Sequence, residues 1–244
     1  MSKAILITGA TRGLGANLAR HFATRGYRLA LTGRKQSDLD ALEAQLAPSA
    51  AQIVTAVLDV AEVDTIEPTL RQCAQALGGL DIVVANAGIA QAARAGTGQF
   101  QSMQDTIAVN ITGAMATADV AVALFREQGH GQLVGITSVA AVRGLPGQGA
   151  YSASKAALGI FLDAVRCETR NENIVITELA PGFIDTELNR SMPNRPFVVS
   201  AERGTRVMAD LIEKQLSFRY VPPWPWTLVA QCMKWLPDSI IAKM

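Results

Sequence analysis

Short, continuously apolar runs between longer helical patterns are the feature that most constrains how this chain folds. The runs are rich in β-branched residues and lie at 4–8, 28–33, 52–60, 81–88, 132–138, 173–182 and 216–221. Strands of this kind are buried on both faces, as they are when helices cover both sides of a parallel sheet. Helical patterns separate the runs at 14–26, 38–47, near 102–128 and at 150–170. Because this order requires right-handed crossovers, the sequence predicts an α/β fold with a doubly wound parallel sheet.

The composition is that of a folded protein with a large core. Apolar residues make up 49% of the 244 residues, charged residues make up 18%, and the net charge is +1. No basic cluster is present, which argues against nucleic acid as a partner. The three cysteines are scattered and there are only two histidines, so we expect no metal site and a reduced, cytoplasmic compartment. The first apolar run leads straight into a glycine-rich turn, so we expect no signal peptide.

The sequence contains no recognisable linker, repeat or low-complexity segment, and we expect one domain over 1–244 with a Trp/Pro-rich C-terminal extension at about 222–244. Polar residues interrupt this extension, so it is not a transmembrane span. One stripe of its predicted helix contains Leu228, Val229, Cys232, Trp235 and Leu236. We expect the helix to pack on the core, to cover the site or to contact another subunit. Peripheral contact with a membrane is the alternative.

A glycine-rich turn, TGATRGLG at 8–15, follows the first strand. Glycine accepts positive φ angles and lets backbone N–H groups approach an anion at a helix N-terminus. The spacing is G-x-x-x-G-x-G instead of the common G-x-G-x-x-G, and a plain structural turn is the alternative. Because ligands bind at the carboxyl ends of strands in doubly wound sheets, we favour a dinucleotide phosphate site.

The end of the second strand indicates which dinucleotide binds. Chains that bind NAD carry an acidic residue there for the ribose 2′-hydroxyl, whereas this strand ends in Thr32, Gly33, Arg34 and Lys35. Arg34 and Arg12 of the glycine turn suit a 2′-phosphate, which arginine holds in a bidentate fork. We therefore expect NADP(H) to be favoured over NAD(H). The alternative is that Arg34 and Lys35 are ordinary solvated loop residues.

Tyr151 and Lys155 stand four residues apart among small residues, and so they share one face of a helix, about 6 Å apart along its axis. An ammonium group close to the phenol is expected to lower the pKa of the phenol towards neutrality. An ordinary amphipathic surface pair is the alternative.

The motifs together resemble one family. The segments TGATRGLG, ANAG (85–88), YSASK (151–155) and PGFIDT (181–186), with Asn110 and Ser138, occur in the order and spacing of the short-chain dehydrogenase/reductase family. The resemblance covers residues 3 to about 190. It implies a Rossmann-like fold with a seven-stranded parallel sheet, a nicotinamide cofactor, and a homodimer or homotetramer built through two long helices.

The resemblance also implies which residues meet the cofactor. In the glycine turn these are Gly9, Thr11, Arg12, Gly13, Leu14 and Gly15. Asp59 and Val60 would flank the adenine, and Asn86, Ala87 and Gly88 would line the cleft. Pro181, Gly182, Ile184 and Thr186 would border the nicotinamide and its carboxamide, Lys155 would bind the ribose, and Tyr151 would also belong to the cofactor site.

Hydride transfer to a carbonyl group needs a proton donor, and we interpret Tyr151 as this acid/base with Lys155 as the group that tunes it. Ser138 stands at the end of the fifth strand, where its hydroxyl is placed to polarise the substrate oxygen. Asn110 lies inside an apolar helical pattern, an awkward place for an amide. The family assigns such an asparagine to a water-mediated proton path.

We therefore expect an NADP(H)-dependent oxidoreductase that interconverts a carbonyl and an alcohol on a small-molecule substrate. The segments 139–149 and 189–200 should frame an apolar or lipid-like substrate through Val139, Val142, Leu145, Phe197 and Val198. Arg143 and Arg195 either bind an anionic group of the substrate or serve no ligand. A cofactor-binding sensor without turnover and a nucleotide-sugar epimerase are the alternative functions.

Overall fold

A seven-stranded parallel sheet with the order β3-β2-β1-β4-β5-β6-β7 organises the chain, and this confirms the predicted fold class. The computed structural model describes residues 2–190, 192 and 194–242. The strands are β1 (Ala4–Ile7), β2 (Arg28–Gly33), β3 (Gln52–Val57), β4 (Ile82–Ala85), β5 (Gly131–Ile136), β6 (Ile174–Pro181) and β7 (Phe218–Val221). The strand order reverses between β1 and β4, and their carboxyl ends form the crevice in which such sheets bind ligands.

Helices cover both faces of the sheet. They are α1 (Gly13–Thr24), α2 (Gln36–Leu46), α3 (Ile66–Leu77), α4 (Phe100–Ile107), α5 (Ala114–Gln128), α6 (Gly149–Glu168), α7 (Ala201–Glu213), α8 (Pro223–Trp235) and α9 (Asp238–Ile241). Two large apolar clusters fill the layers, one beneath α1, α2 and α7 and the other beneath α3, α5 and α6. Because both faces of the central strands are buried, β1 and β4 expose no side chain to water.

A π-helical stretch, Ala108–Gly113, joins α4 to α5. The predicted helix near 102–128 is therefore one continuous helical run whose middle turn is widened. By length and composition the run Phe100–Gln128 would suffice to cross a membrane, but its α5 portion packs on β4 and β5 as a core helix. Widened turns of this kind are frequent at functional sites.

The C-terminal extension packs through a different helix face from the one predicted. α8 begins at Pro223, and its buried residues are Trp226, Ala230 and Met233. Leu228 and Trp235, two members of the predicted stripe, point away from the core. The packed face is thus a different one, because Trp226 packs closely against Gly182 and belongs to the apolar cluster of Val139, Ala180, Tyr220 and Ala230.

Candidate active site

The carboxyl end of β5 and the first turns of α6 bring Ser138, Tyr151 and Lys155 together. Ser138 follows β5 and caps a short 3-10 turn, where its Oγ accepts a hydrogen bond from Ala140 N at 3.1 Å. Lys155 is buried and its Nζ donates to the carbonyl of Ile136 at 2.8 Å. The same Nζ lies 5.9 Å from the centre of the Tyr151 ring. A hydroxyl, a phenol and an amine therefore converge at the edge of the sheet where ligands bind in this fold.

Burial is the main cause of the pKa shifts of Tyr151 and Lys155. It raises the pKa of the Tyr151 phenol, which a hydrogen bond with Ser138 partly offsets. Burial also lowers the pKa of Lys155 to about 8. The pKa of the phenol is therefore raised, contrary to the expectation that Lys155 lowers it, because loss of solvation is the largest contribution. The phenol is protonated at neutral pH.

Asn110 belongs to the π-helical stretch and is fully buried. Its Oδ1 accepts from Ile89 N at 2.9 Å, and its Nδ2 donates to Ile89 O at 2.9 Å and to Ser154 Oγ at 3.0 Å. Ser154 in turn donates to the carbonyl of Tyr151 at 2.8 Å. The amide therefore joins the segment after β4 to the first turns of α6, and its polar atoms are satisfied by protein groups.

The glycine turn forms an anion cradle between β1 and α1. Gly9 and Gly13 have φ angles of 63° and 54°, which favour glycine. A Cβ on Gly15 would collide with the carbonyl oxygen of Gly9, so this position too requires glycine. α1 begins at Gly13, and its N-terminal N–H groups point out of the turn. These features fit the pyrophosphate of a dinucleotide.

The segment after β4 is bound to the glycine turn. Asn86 Nδ2 donates to the carbonyl oxygens of Thr8 and Gly9, at 2.9 Å and 3.2 Å. Thr8 Oγ1 accepts from the backbone N–H groups of Asn86 and Ala87 at 3.1 Å each. A Cβ on Gly88 would lie 3.4 Å from Lys155 Nζ, so this segment connects the cradle to the tyrosine and lysine.

The adenosine end of the cleft contains the two arginines named from the sequence. Arg12 immediately precedes α1, Arg34 follows β2, and both side chains are exposed. Within the described ranges, neither guanidinium forms an ion pair. Thr11 packs over Gly33, which brings the glycine turn next to the end of β2. Asp59 accepts a hydrogen bond from Ala61 N at 3.0 Å and so shapes the turn that carries Val60.

The opposite end of the cleft is formed by the segment that leaves β6. Pro181 ends the strand, and its carbonyl lies 3.5 Å from Ser138 Oγ. Ile184 is buried and pairs with Val199, and Thr186 packs close to Gly13. The segment from Pro181 to Thr186 therefore spans from Ser138 to the phosphate cradle, the path that a bound dinucleotide would follow. Leu14 packs against the core behind that path.

The predicted substrate residues do not form one closed pocket. Val139 is buried, Val142 and Leu145 are half-buried, and Phe197 and Val198 are exposed. A cavity of about 390 Å³ adjoins Ser138 and Lys155 but extends along α6 towards β7. Of the predicted substrate residues, the cavity lining includes only Val142. Residues 191 and 193 of the predicted lid segment lie outside the described residues.

Arg143 and Arg195 both bind other groups of the protein. Arg143 donates to the carbonyl of Lys234 and forms an ion pair with Asp238 at 2.5 Å. Arg195 pairs with Asp185 at 2.5 Å. Neither guanidinium is therefore a free ligand for an anionic substrate, and both fasten segments that flank the site.

Sequence reasoning missed three groups that build the site, namely Thr8, Ser154 and the carbonyl of Ile136. Thr8 and Ser154 are small hydroxyl residues inside the quoted motifs. Their positions in those motifs could have identified them. The contribution of a backbone carbonyl has no signal in the side-chain sequence.

The comparisons with known proteins agree with this geometry. The family model for short chain dehydrogenases matches residues 3–196. An uncharacterized oxidoreductase of Mycobacterium tuberculosis is 36% identical over 239 residues, covering 97% of this chain and 94% of the relative. An uncharacterized oxidoreductase of Myxococcus xanthus is 34% identical over 240 residues, covering 96% of this chain and 93% of the relative.

Among solved structures, an alcohol dehydrogenase from the archaeon Thermococcus sibiricus, complexed with 5-hydroxy-NADP, has a TM-score of 0.81 at 26% identity, covering 90% of this chain and 95% of that one. With its seven-stranded parallel sheet and its glycine turn, this chain is an oxidoreductase that belongs to the short-chain dehydrogenase/reductase family.

Proposed function

We propose that this protein is an NADP(H)-dependent oxidoreductase that reduces a carbonyl group, on an apolar or lipid-like substrate, to an alcohol. The observation that carries the proposal is the convergence of Ser138, Tyr151 and Lys155 at the end of the phosphate cradle. When bound, the reduced cofactor supplies a hydride to the carbonyl carbon. The residues of the chain then have to supply a proton and hold the oxygen in place.

Tyr151 is the proton donor in this proposal. Its raised pKa keeps the phenol protonated, which suits a donor to the developing alkoxide, a much stronger base than the phenolate. The O–H bond of Tyr151 breaks as the new O–H bond of the alcohol forms. Ser138 donates a hydrogen bond to the same oxygen and stabilises its negative charge. Lys155, held by Ile136 O, stabilises the phenolate that remains until it is reprotonated.

A turnover screen with NADPH and a panel of ketones, aldehydes and 3-oxoacyl thioesters tests the proposal. With the best substrate, Tyr151→Phe should lower kcat by about 10²–10⁴-fold, the range typical of acid/base groups, and should leave NADPH affinity unchanged. Tyr27→Phe is the matched control, a buried tyrosine directly before β2 and outside the cavity lining, for which we expect kcat within about twofold of the unsubstituted enzyme. No turnover of any carbonyl, with NADPH binding intact, would favour a sensor.

The choice of NADP(H) rests on two exposed arginines, Arg12 immediately before α1 and Arg34 directly after β2. The solved relative from Thermococcus sibiricus binds an NADP derivative, which supports the same choice here. A charge-assisted hydrogen bond contributes about 1.5–3 kcal/mol, and exposure to water reduces this. We therefore expect kcat/KM to favour NADPH over NADH by about 10²–10³-fold.

Arg34→Asp should abolish or reverse the cofactor preference, because it removes a donor and repels the phosphate. Arg20→Asp, at an exposed arginine of α1, should leave the preference unchanged. Equal use of NADH and NADPH by the unsubstituted enzyme at low ionic strength would contradict the assignment of Arg34.

The proposed location is cytoplasmic, with peripheral contact to membranes through α8. Trp224 and Trp235 are 74% and 86% exposed, and Leu228 lies between them on the outer face of the helix. Indole side chains are favoured at membrane–water interfaces. Replacement of both tryptophans by serine should abolish co-sedimentation with phosphatidylcholine–phosphatidylserine vesicles, and Phe100→Ser should not. Failure of the unsubstituted protein to sediment with vesicles would refute the contact.

A further inference from the structure

The C-terminal segment 222–242, here named the strap, contacts the loops that follow both β5 and β6. Arg143, five residues after Ser138, donates to Lys234 O at 3.3 Å and to Asp238 Oδ1 at 2.5 Å. The side chain of Arg143 is about a quarter exposed, whereas that of Asp238 is almost fully exposed. The end of the strap is thus fastened to the loop after Ser138.

The start of the strap packs on the segment that leaves β6. Trp226 is 2% exposed, and a Cβ on Gly182 would overlap its indole ring. Phe183 and Phe197 meet this indole edge-on, with ring centres 5.8 Å and 6.0 Å away. The side chain of Trp226 therefore fixes the backbone next to Pro181, whose carbonyl lies beside Ser138.

The Nε1 of Trp226 is buried and has no hydrogen-bond partner within the described residues. Burying an indole N–H without an acceptor is unfavourable, so Trp226→Phe removes that cost while it keeps an aromatic ring at this position. Tryptophan fills the space over Gly182 more completely than phenylalanine does, and its contacts there depend on the shape of the ring. This makes Trp226→Phe an informative variant.

We propose that the strap is a positioning element of the active site. Trp226 holds the Pro181–Phe183 turn, and the ion pair of Arg143 with Asp238 holds the loop after Ser138. Loops are the most mobile parts of a fold, whereas catalytic groups must stay within about 0.5 Å of their productive geometry. The strap connects the two loops and so keeps Ser138 in register with the segment that borders the nicotinamide. This inference rests on the proposed function for its kinetic consequences but not for its structural ones.

The kinetic test compares two cavity-forming variants of α8. Trp226→Ala should lower kcat by about 10²-fold, as a displacement of about 1 Å does, with a smaller change in KM. Met233→Ala, on the same buried face of the helix, is the matched control and should lower thermal stability but leave kcat within about threefold. Trp226→Phe should restore most of the activity. Equal losses of kcat in the alanine variants, or an unchanged kcat in Trp226→Ala, would overturn the proposal.

Hydrogen exchange tests the strap without turnover. Arg143→Ala and Asp238→Ala should both accelerate exchange of peptides that cover 139–143 and 234–242, by about threefold to tenfold. Arg126→Ala, which breaks a remote surface ion pair with Glu172, should leave those peptides unchanged. Unchanged exchange in both peptides refutes the strap even if the enzyme is active. Faster exchange in an enzyme that reduces no carbonyl supports the strap and refutes the proposed function.

Discussion

Single residues of the site are governed by burial more than by their spacing along the helix. The four-residue spacing of Tyr151 and Lys155 was enough to predict that they share a face. The direction of the pKa change of Tyr151 was not predictable, since it depends on how completely the surrounding chain excludes water. The sequence likewise named Arg143 and Arg195 but not their partners Asp238 and Asp185, because ion pairs across the surface follow from the tertiary fold.

Lys155 should make the stability of the protein depend on pH in the alkaline range. Its pKa falls from 10.5 to about 8 on folding, so the unfolded chain binds more protons between these values and stability rises with pH there. Each pH unit contributes up to about 1.4 kcal/mol, so the unsubstituted protein should gain about 2–3 kcal/mol relative to Lys155→Met between pH 8 and pH 10.

Chemical unfolding at several pH values measures this difference, and Tyr151 is present in both proteins, so its own titration largely cancels. Thr117→Ala in α5, which removes no titratable group, is the control and should show no such trend. A difference between the unsubstituted protein and Lys155→Met that stays constant with pH would mean that the amine is solvated.

At the scale of elements, the central strands were predictable because both of their faces are buried. The third strand was predicted to reach residue 60 but ends at Val57, since Leu58 and Val60 are buried in a turn and not in the sheet. α3 is missing from the predicted elements, although its buried residues Ile66, Leu70, Cys73 and Leu77 have helical spacing. α7 was not assigned either. The widened turn at Asn110 had one signal, an amide in an apolar pattern.

Asn110, in the π-helical stretch, should stabilise the folded protein through the hydrogen bonds of its side-chain amide. Asn110→Ala would leave the N–H and the carbonyl of Ile89 without these partners and would remove one hydrogen bond to Ser154, at a cost of about 1–3 kcal/mol for each unsatisfied group. We expect a total loss of about 2–4 kcal/mol, which corresponds to a decrease in Tm of roughly 5–15 °C for a chain of this size.

Thermal and urea unfolding measure the effect. The control is Thr117→Ala in α5, which loses one buried hydrogen bond to Gly113 O within a helix and should cost about 1 kcal/mol. If Asn110→Ala were as stable as Thr117→Ala, the amide would not be what connects the segment after β4 to α6.

At the scale of the whole molecule, the sequence did not predict which helix residues form the outer surface. A sequence pattern alone does not show which side of a helix meets the sheet. Ile160 of α6 is 75% exposed, and Ala153, Ala164 and Cys167 continue the same outer stripe. A smooth apolar stripe on a long helix suits the close approach of a second helix. We propose that it forms a homodimer contact, the arrangement expected from the family resemblance.

Ile160→Asp should therefore dissociate the dimer. A carboxylate in the centre of an apolar helix contact is either desolvated without a partner or holds the helices apart, and a cost of about 3 kcal/mol already weakens association more than 10²-fold. Sedimentation velocity over a range of concentrations reads the dimer-to-monomer shift directly. Ile240→Asp is the matched control, since Ile240 is an exposed isoleucine of α9 on the strap and lies outside the α6 stripe. We expect it to remain a dimer.

Circular dichroism should show the same helix content for both variants, since Ile160 contributes little to the core of its own subunit. An unsubstituted protein that sediments as a monomer at all concentrations, or a dimer that survives Ile160→Asp but not Ile240→Asp, would move the subunit contact away from α6 and towards the strap.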